Sequence, residues 1–216
     1  MTVWLLDLDN TLYPASCGLF EVVNRRISEY MAVRLGLPPG EIAELRRRYW
    51  EEYGLTMCGL MAHHGVEPGD YLEYVHDVPV AQFLGRDPLL AEALGELPGE
   101  KFVFTNGSAA HARSVLRCLG IEELIADVFD IAYFDYLPKP RPHGYRKVLE
   151  RLGADGAGTW MADDSADNLD TARSFGITTV LVSETPGGGH LHARSPLELP
   201  GLFRARGRAA PAPRRR

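Results

Sequence analysis

The first hydrophobic run has the pattern of a strand covered on both faces. Val3-Trp4-Leu5-Leu6 are unbroken apolar residues, followed by the alternation Asp7-Leu8-Asp9-Asn10 and then Thr11-Leu12-Tyr13-Pro14. A short apolar run bounded by polar and turn residues predicts a buried strand, here residues 3–8. After Pro14 the period becomes helical. Phe20, Val23, Ile27, Tyr30 and Met31 recur on one helix face, and Gly36 stops the run. Pro38-Pro39-Gly40 is a break, and Ile42, Leu45, Tyr49 and Trp50 mark a second helix ending at Gly54. Short helices are expected over 57–64 and 69–77. Asp87-Pro88 reads as N-cap and first helical position before a helix at 89–94.

From Lys101 onward strands alternate with helices. Strands are expected at 102–104, 131–133, 159–162 and 178–182. The helices between them are expected at 109–119, 142–152 and 166–175, closed by Gly120, Gly153 and Gly176. Such alternation produces parallel pairing. The first strand must join the same sheet, because alone it could bury nothing. The predicted fold class is therefore α/β, a Rossmann-like three-layer parallel sheet with helices inserted after the first strand. The expected division is a core of residues 1–14 and 87–203, a helical cap of 15–86, and a disordered Arg-rich tail of 204–216.

The 216 residues suffice for one α/β domain with an insertion. No apolar run approaches the ~20 residues needed to span a membrane, and neither a basic leader nor a cleavage site precedes the first strand, so no signal peptide is expected. Cys17, Cys58 and Cys118 are odd in number and scattered, which suits a reducing, cytoplasmic setting better than a disulfide framework. Net charge is −6, but the last thirteen residues hold six arginines and no acid. Taking those six from the 23 basic residues leaves 17 against 29 acids, a net of −12 for the rest. The tail could touch RNA phosphates weakly. It reads as a solvated end, and nucleic acid is not an expected partner.

The candidate chemistry sits where strands end. Asp7 and Asp9 are two residues apart, hence on one face if the strand runs to its end, at the carboxyl edge where open α/β sheets hold ligands. Paired carboxylates repel unless a cation lies between them, and Mg²⁺ suits hard oxygen ligands. An aspartate can also receive a phosphoryl group. The same run reads equally as a strand terminus and turn. Thr105-Asn106-Gly107-Ser108 follows the strand at 102–104 and could cradle an anion, or simply provide Ser108 as an N-cap. Lys139, flanked by Pro138 and Pro140, is a compact charge on a stiffened loop, suited to a phosphate or to two carboxylates. Asp163-Asp164 follows the strand at 159–162 and favours metal binding.

In order, Asp7-x-Asp9-x-Thr11, Thr105-Asn106-Gly107, Lys139-Pro140 and Asp163-Asp164-Ser165 resemble the haloacid dehalogenase (HAD) phosphohydrolase superfamily. The resemblance covers residues 3–182, and the inserted helices match that superfamily's first type of cap. More narrowly, Asn10, Tyr13-Pro14 and the doubled aspartate resemble its pyrimidine 5′-nucleotidase branch. The resemblance implies a Mg²⁺-dependent phosphomonoesterase. Asp7 would be the nucleophile, Asp9 the general acid and base, and Lys139 the stabiliser of the charged intermediate. Thr105 and the Asn106 backbone would hold phosphoryl oxygens. Asp7, the Asp9 carbonyl and Asp164 would bind the metal. Asp163 stands where the superfamily has glycine, and Asn168 where it has a further acid.

A neighbouring carboxylate and a closed cap are expected to raise the Asp9 pKa. The implied substrate is a small phosphorylated metabolite, a nucleoside 5′-monophosphate such as UMP or CMP. A sugar-phosphate phosphatase, a phosphomutase and a non-catalytic binding protein are the alternatives. The protein is expected to be a monomer or homodimer. His63, His64, His111, His143, His190 and His192 form no zinc pattern with nearby cysteines and are expected to be surface or packing residues. Tyr49, Trp50, Tyr53, Tyr71 and Tyr74 could stack on a base, although their helical spacing favours packing.

Overall fold

The computed structural model describes residues 2–209. Strand β1 (Val3–Leu6) is central, and all four of its residues are 0% exposed. It pairs in parallel with β2 (Glu100–Phe104) on one side and β4 (Thr159–Asp163) on the other, so that Val3 lies opposite both Glu100 and Thr159. Outside these lie β3 (Asp127–Phe129), β5 (Thr178–Val182) and β6 (Leu191–Ala193), giving the parallel order β3-β2-β1-β4-β5-β6.

Because side chains alternate along a strand, β1 feeds two apolar layers. Val3 and Leu5 join Phe102, Phe104 and Met161 beneath α7 (Pro142–Leu152) and α8 (Ala166–Ser174). Trp4 and Leu6 join Val103 and Trp160 beneath α5 (Pro88–Glu96), α6 (Ala109–Leu119) and α9 (Leu199–Ala209). Asp87 caps α5 by accepting from Leu90 N at 2.9 Å, as expected from Asp87-Pro88.

Between β1 and β2 the chain forms α1 (Leu19–Val33), α2 (Pro39–Tyr53), α3 (Thr56–His64) and α4 (Pro68–His76). α1 packs on α4, and α2 on α3. Tyr49 and Tyr71 are buried, so they pack rather than present a face to a base, while Trp50 is exposed. Gly59 is needed for the α2–α3 contact, because a Cβ there would lie 2.2 Å from Tyr49 Cγ. The apolar cluster of these helices is continuous with the α7/α8 side of the sheet. None of the described helices is long and apolar enough to cross a membrane.

Three expectations change. The third strand of the sheet is 127–129, not 131–133. Val128 and Phe129 pair with Val103 and Phe104, whereas the chain from 131 to 136 folds into turns that push Ile131 and Phe134 into the core. The apolar character of 131–133 thus reflects plugging rather than pairing. Strand β6 was not expected, because the polar, glycine-rich run before it hides it. The tail expected to be disordered from 204 continues α9 to Ala209. Phe203 packs on Trp4 and Trp160, Arg204 Nη1 donates to Glu96 Oε2 at 2.7 Å, and Arg206 lies over the Trp160 ring. Those contacts anchor the helix; residues 210–216 lie outside the described residues.

Candidate active site

The ladder between β1 and β4 extends one residue past Leu6, because Asp7 N donates to Ala162 O at 2.9 Å. That bond fixes the Asp7 carboxylate at the carboxyl edge of the sheet. Thr11 Oγ1 donates to Asp7 Oδ2 at 3.1 Å, and Lys139 Nζ donates to Asp7 Oδ1 at 2.7 Å. The same ammonium donates to Asp163 Oδ2 at 2.8 Å and to Phe104 O at 2.7 Å, and the Lys139 side chain is 1% exposed. Lys139 therefore ties the ends of β1, β2 and β4 together. Its loop is held by Asn106, whose Oδ1 accepts from Lys139 N at 2.8 Å while its Nδ2 donates to Lys139 O at 3.1 Å.

Asp163 is fully engaged. Besides Lys139, it accepts from Ser165 N at 2.8 Å and from Asn168 Nδ2 at 3.0 and 3.1 Å. Asn168, which stands where the resemblance implies an acid, is a hydrogen-bonding prop for Asp163. Asp164 is exposed by contrast, with the Asn10 side chain facing it. Oxygen atoms of Asp7, Asp163 and Asp164 all lie within 4.8 Å of one another. Burial pushes the Asp7 carboxyl up to about 8, with Lys139 opposing the shift and Asp163 and Asp164 adding to it. Although Asp164 as a whole residue is exposed, desolvation of its carboxylate at the sheet edge, then the Asp163 charge, raises its pKa to about 6. Burial disfavours the Lys139 ammonium, yet its two carboxylate partners outweigh this and raise its pKa.

One ammonium among three carboxylates leaves a surplus of negative charge on hard oxygen donors, a set that fits Mg²⁺. Each oxygen of Asp163 already accepts from two nitrogen donors, whereas each oxygen of Asp7 accepts from one donor, so Asp7 and Asp164 are the carboxylates that would face an ion.

Thr105 is buried at the end of β2 and accepts from Gly107 N at 2.9 Å, which leaves its hydroxyl hydrogen free for another acceptor. Ser108 serves as the N-cap of α6, so the two readings of this loop fall on different residues. A Cβ added at Gly107 would lie 3.3 Å from Thr105 Oγ1 and 3.7 Å from Asp9 Oδ2. The loop thus approaches Asp9 closely, and the aspartate's Oδ2 faces it.

Asp9 differs from expectation. Its Oδ1 is hydrogen-bonded by the Tyr13 hydroxyl and by His111 Nε2, the latter at 3.0 Å. Burial would raise its pKa, but the His111 and Tyr13 hydrogen bonds and the nearby imidazoles prevail and lower it. The expected upward shift is corrected: the groups facing this carboxylate are hydrogen-bond donors, not another acid. His111 is itself corrected from a surface or packing residue to a buried partner of Asp9. Its ring stacks on His76, with centroids 4.5 Å apart, and His76 Nδ1 lies 3.0 Å from Ser108 Oγ. Burial, reinforced by His111, lowers the His76 pKa to about 4. The Asp9–Tyr13 spacing of four residues was a local signal for their contact. Nothing local signals His111, which reaches Asp9 only through the fold.

Every site residue marked in the sequence thus lies at one sheet edge: Asp7, Lys139 and Asp164 around one acidic cluster, with Asp9, Thr105 and Asn106 beside it. A family model for haloacid dehalogenase-like hydrolases matches residues 1–176. The chain is 30% identical over 200 residues to phosphate metabolism protein 8 of Saccharomyces cerevisiae, covering 83% of this chain and 60% of that one, so it spans less than two thirds of that relative. It is 29% identical over 196 residues to a phosphoglycolate phosphatase of Rhodospirillum rubrum, covering 83% and 78%. Its fold is similar to that of a HAD phosphatase from Thermococcus onnurineus (TM-score 0.64, 19% identity, 94% and 98% covered). It is also similar in fold to an L-2-haloacid dehalogenase from Xanthobacter autotrophicus (TM-score 0.61, 15% identity, 94% and 99% covered).

Proposed function

The chain belongs to the haloacid dehalogenase-like hydrolases, and from that premise we propose that it is a Mg²⁺-dependent phosphomonoester hydrolase acting on pyrimidine nucleoside 5′-monophosphates. The observation that carries the phosphatase reading is Asp9. A carboxyl group two residues beyond the nucleophile, with one oxygen turned to the Thr105–Gly107 loop, supplies a proton to a departing oxygen. Departure of a halide requires no such proton.

Asp7 attacks phosphorus, forming an aspartyl phosphate as the bond to the leaving oxygen breaks. Thr105 donates its free hydroxyl hydrogen to a phosphoryl oxygen. Lys139, already 2.7 Å from Asp7, offsets the charge that gathers there. Asp7, the Asp9 carbonyl and Asp164 would hold Mg²⁺, which would supply the charge neutralisation that lets an anionic nucleophile approach an anionic phosphate. Asp9 is held low in the free protein, and a phosphomonoester dianion beside Oδ2 raises its affinity for a proton. It gives that proton to the leaving alcohol and then takes one from the water that hydrolyses the aspartyl phosphate.

Residues 15–86 act as the cap over this site, and the leaving group meets them rather than the core, so they select the substrate. The nucleotide assignment rests on Asn10, Tyr13-Pro14 and the doubled aspartate. The resemblance to a phosphoglycolate phosphatase favours a small phosphorylated acid as the second reading. The test is a phosphomonoester panel assayed with Mg²⁺ and with EDTA. UMP and CMP are expected to show higher kcat/KM than AMP, GMP, glucose 6-phosphate or 2-phosphoglycolate. A purine nucleotide, sugar phosphate or phosphoglycolate that beats both overturns the nucleotide assignment alone. Phosphate release from no ester overturns the phosphatase reading.

A further inference from the structure

We propose that His111 is a positioning residue for Asp9: it fixes that carboxylate through Oδ1, so that Oδ2 alone is presented to the substrate. The inference rests on the phosphatase reading and names a group that the reading does not require. Two donors converge on one oxygen, His111 Nε2 at 3.0 Å and the Tyr13 hydroxyl, while Oδ2 receives no hydrogen bond among the described residues. Free carboxylates swing about their last torsion. One whose Oδ1 is held from two directions cannot exchange its oxygens.

The His111 ring is badly placed for a purely structural part. Its side chain is 1% exposed, yet Nδ1 is buried without a partner among the described residues. A buried ring nitrogen left unpaired disfavours the folded state, so packing alone would be better served by an apolar residue. What the ring does supply is a donor at Nε2. Its plane is fixed by His76, stacked at 4.5 Å with 14° between the planes, and His76 is anchored in turn through Nδ1 to Ser108 Oγ at 3.0 Å. His76 is the last residue of α4, where the chain leaves the inserted helices, and Tyr13 lies where the chain first approaches them. Both crossings between the inserted helices and the sheet therefore bear on Asp9.

The step that depends on this geometry is transfer of the Asp9 proton to the leaving oxygen, as the leaving oxygen–phosphorus bond breaks and the bond from Asp7 forms. Two esters separate it from all others. Phenyl phosphate leaves as a basic phenolate that needs the proton, and 2,4-dinitrophenyl phosphate leaves as a stable anion that does not. Phenol release is followed in a single turnover with Mg²⁺ and enzyme in excess, and KM is measured at steady state.

His111→Phe keeps a planar ring and loses the donor. It is expected to slow release from phenyl phosphate about 100-fold with KM within about twofold, while release from the dinitrophenyl ester stays within about threefold. His111→Gln, whose amide reaches the place of Nε2, is expected to recover most of the loss; His111→Asn, whose amide stops short, is not. Tyr13→Phe, which keeps its ring, is expected to show the same discrimination more weakly. If His111→Phe does not fold, the contrast of Gln against Asn carries the same decision. Equal losses on both esters, or no loss on phenyl phosphate, overturn the positioning role. A wild-type protein inert on both esters overturns the phosphatase reading, and this inference with it.

Discussion

Replacing Lys139 by methionine removes the ammonium shared by Asp7 and Asp163. The wild-type ammonium has three acceptors at 2.7–2.8 Å and is 1% exposed, and the Asp163 side chain is 0% exposed. Stranding a buried charge by deleting its partner costs about 3–5 kcal/mol. The lower end applies here. Asp7, whose carboxyl sits near 8, is already largely protonated at pH 7, and Asp163 keeps Asn168 and Ser165 N. About 3 kcal/mol corresponds to a Tm loss of about 6–12 °C for a domain of this size. Thermal unfolding in EDTA at pH 7 measures it. The pH dependence follows from sign. A carboxyl whose folded-state pKa is raised contributes stability below its unfolded value, and that contribution is lost as pH rises through the folded value. Without Lys139 opposing the shift, the Asp7 carboxyl climbs beyond about 8, so its loss continues to higher pH than in the wild type. The gap between the two proteins should therefore widen from pH 7 to pH 9. A Tm change under about 3 °C, or a gap that closes as pH rises, refutes the reasoning.

Asp7→Asn should lower turnover at least about 1,000-fold with Tm retained, checked on freshly prepared protein because amides deamidate; near-wild-type rates would remove Asp7 from the nucleophile role. Asp164→Ala should raise the Mg²⁺ concentration for half-maximal activity about tenfold or more with little loss of stability, whereas Asp163→Ala should chiefly lower Tm by undoing the Lys139 and Asn168 contacts; a metal titration disturbed only in the Asp163 variant reverses the assignment. In EDTA, wild-type stability should fall from pH 6.5 to pH 8, because the raised Asp7 carboxyl is lost from the favourable state as pH climbs through about 8. Below pH 6.5 the depressed His76 imidazole works the other way, since its stability is lost as pH falls toward about 4. Adding Mg²⁺ should flatten the upper limb, and urea titrations giving rising stability across that interval would contradict the charge balance at the site.

The sheet was legible because its central strands are buried on both faces and so appear as apolar runs with little ambiguity: Val3–Leu6, Phe102–Phe104 and Thr178–Val182. The site was legible where residues belong to one strand end. Asp7 and Asp9, Thr105, and the Asp163-Asp164 pair each stand directly after such a run, and Lys139 is marked by its flanking prolines. Edge strands were harder. Asp127–Phe129 begins with a charge, and its neighbour Ile131 is as apolar as any strand residue but serves as a plug. The environment of Asp9 was hidden for a different reason. Its pKa depends on what faces it across the fold, and the imidazole that faces it lies on α6 with no spacing relation to β1. The division of labour between Asp163 and Asp164 was equally invisible, because it turns on which oxygens Lys139 and Asn168 occupy. Composition alone marks the arginine tail as disordered, and composition says nothing of Phe203 just before it packing on two tryptophans.

The position of β1 at the centre of the sheet also governs the order in which the molecule can be assembled. The strand is made first, yet its two partners begin at residues 100 and 159. During synthesis, Val-Trp-Leu-Leu must wait with both edges unpaired while α1–α5 emerge, and the second edge closes only after β4 has left the ribosome. Closing loops of that length is entropically costly before any contact is gained, and an unpaired apolar strand is the kind of segment that associates with other chains. Helices α1–α4, which pack chiefly on one another, can form during that interval. The strand that carries Asp7 to the sheet edge is thus translated before both of the strands it pairs with, so the acidic cluster cannot assemble until β4 has been added beside it.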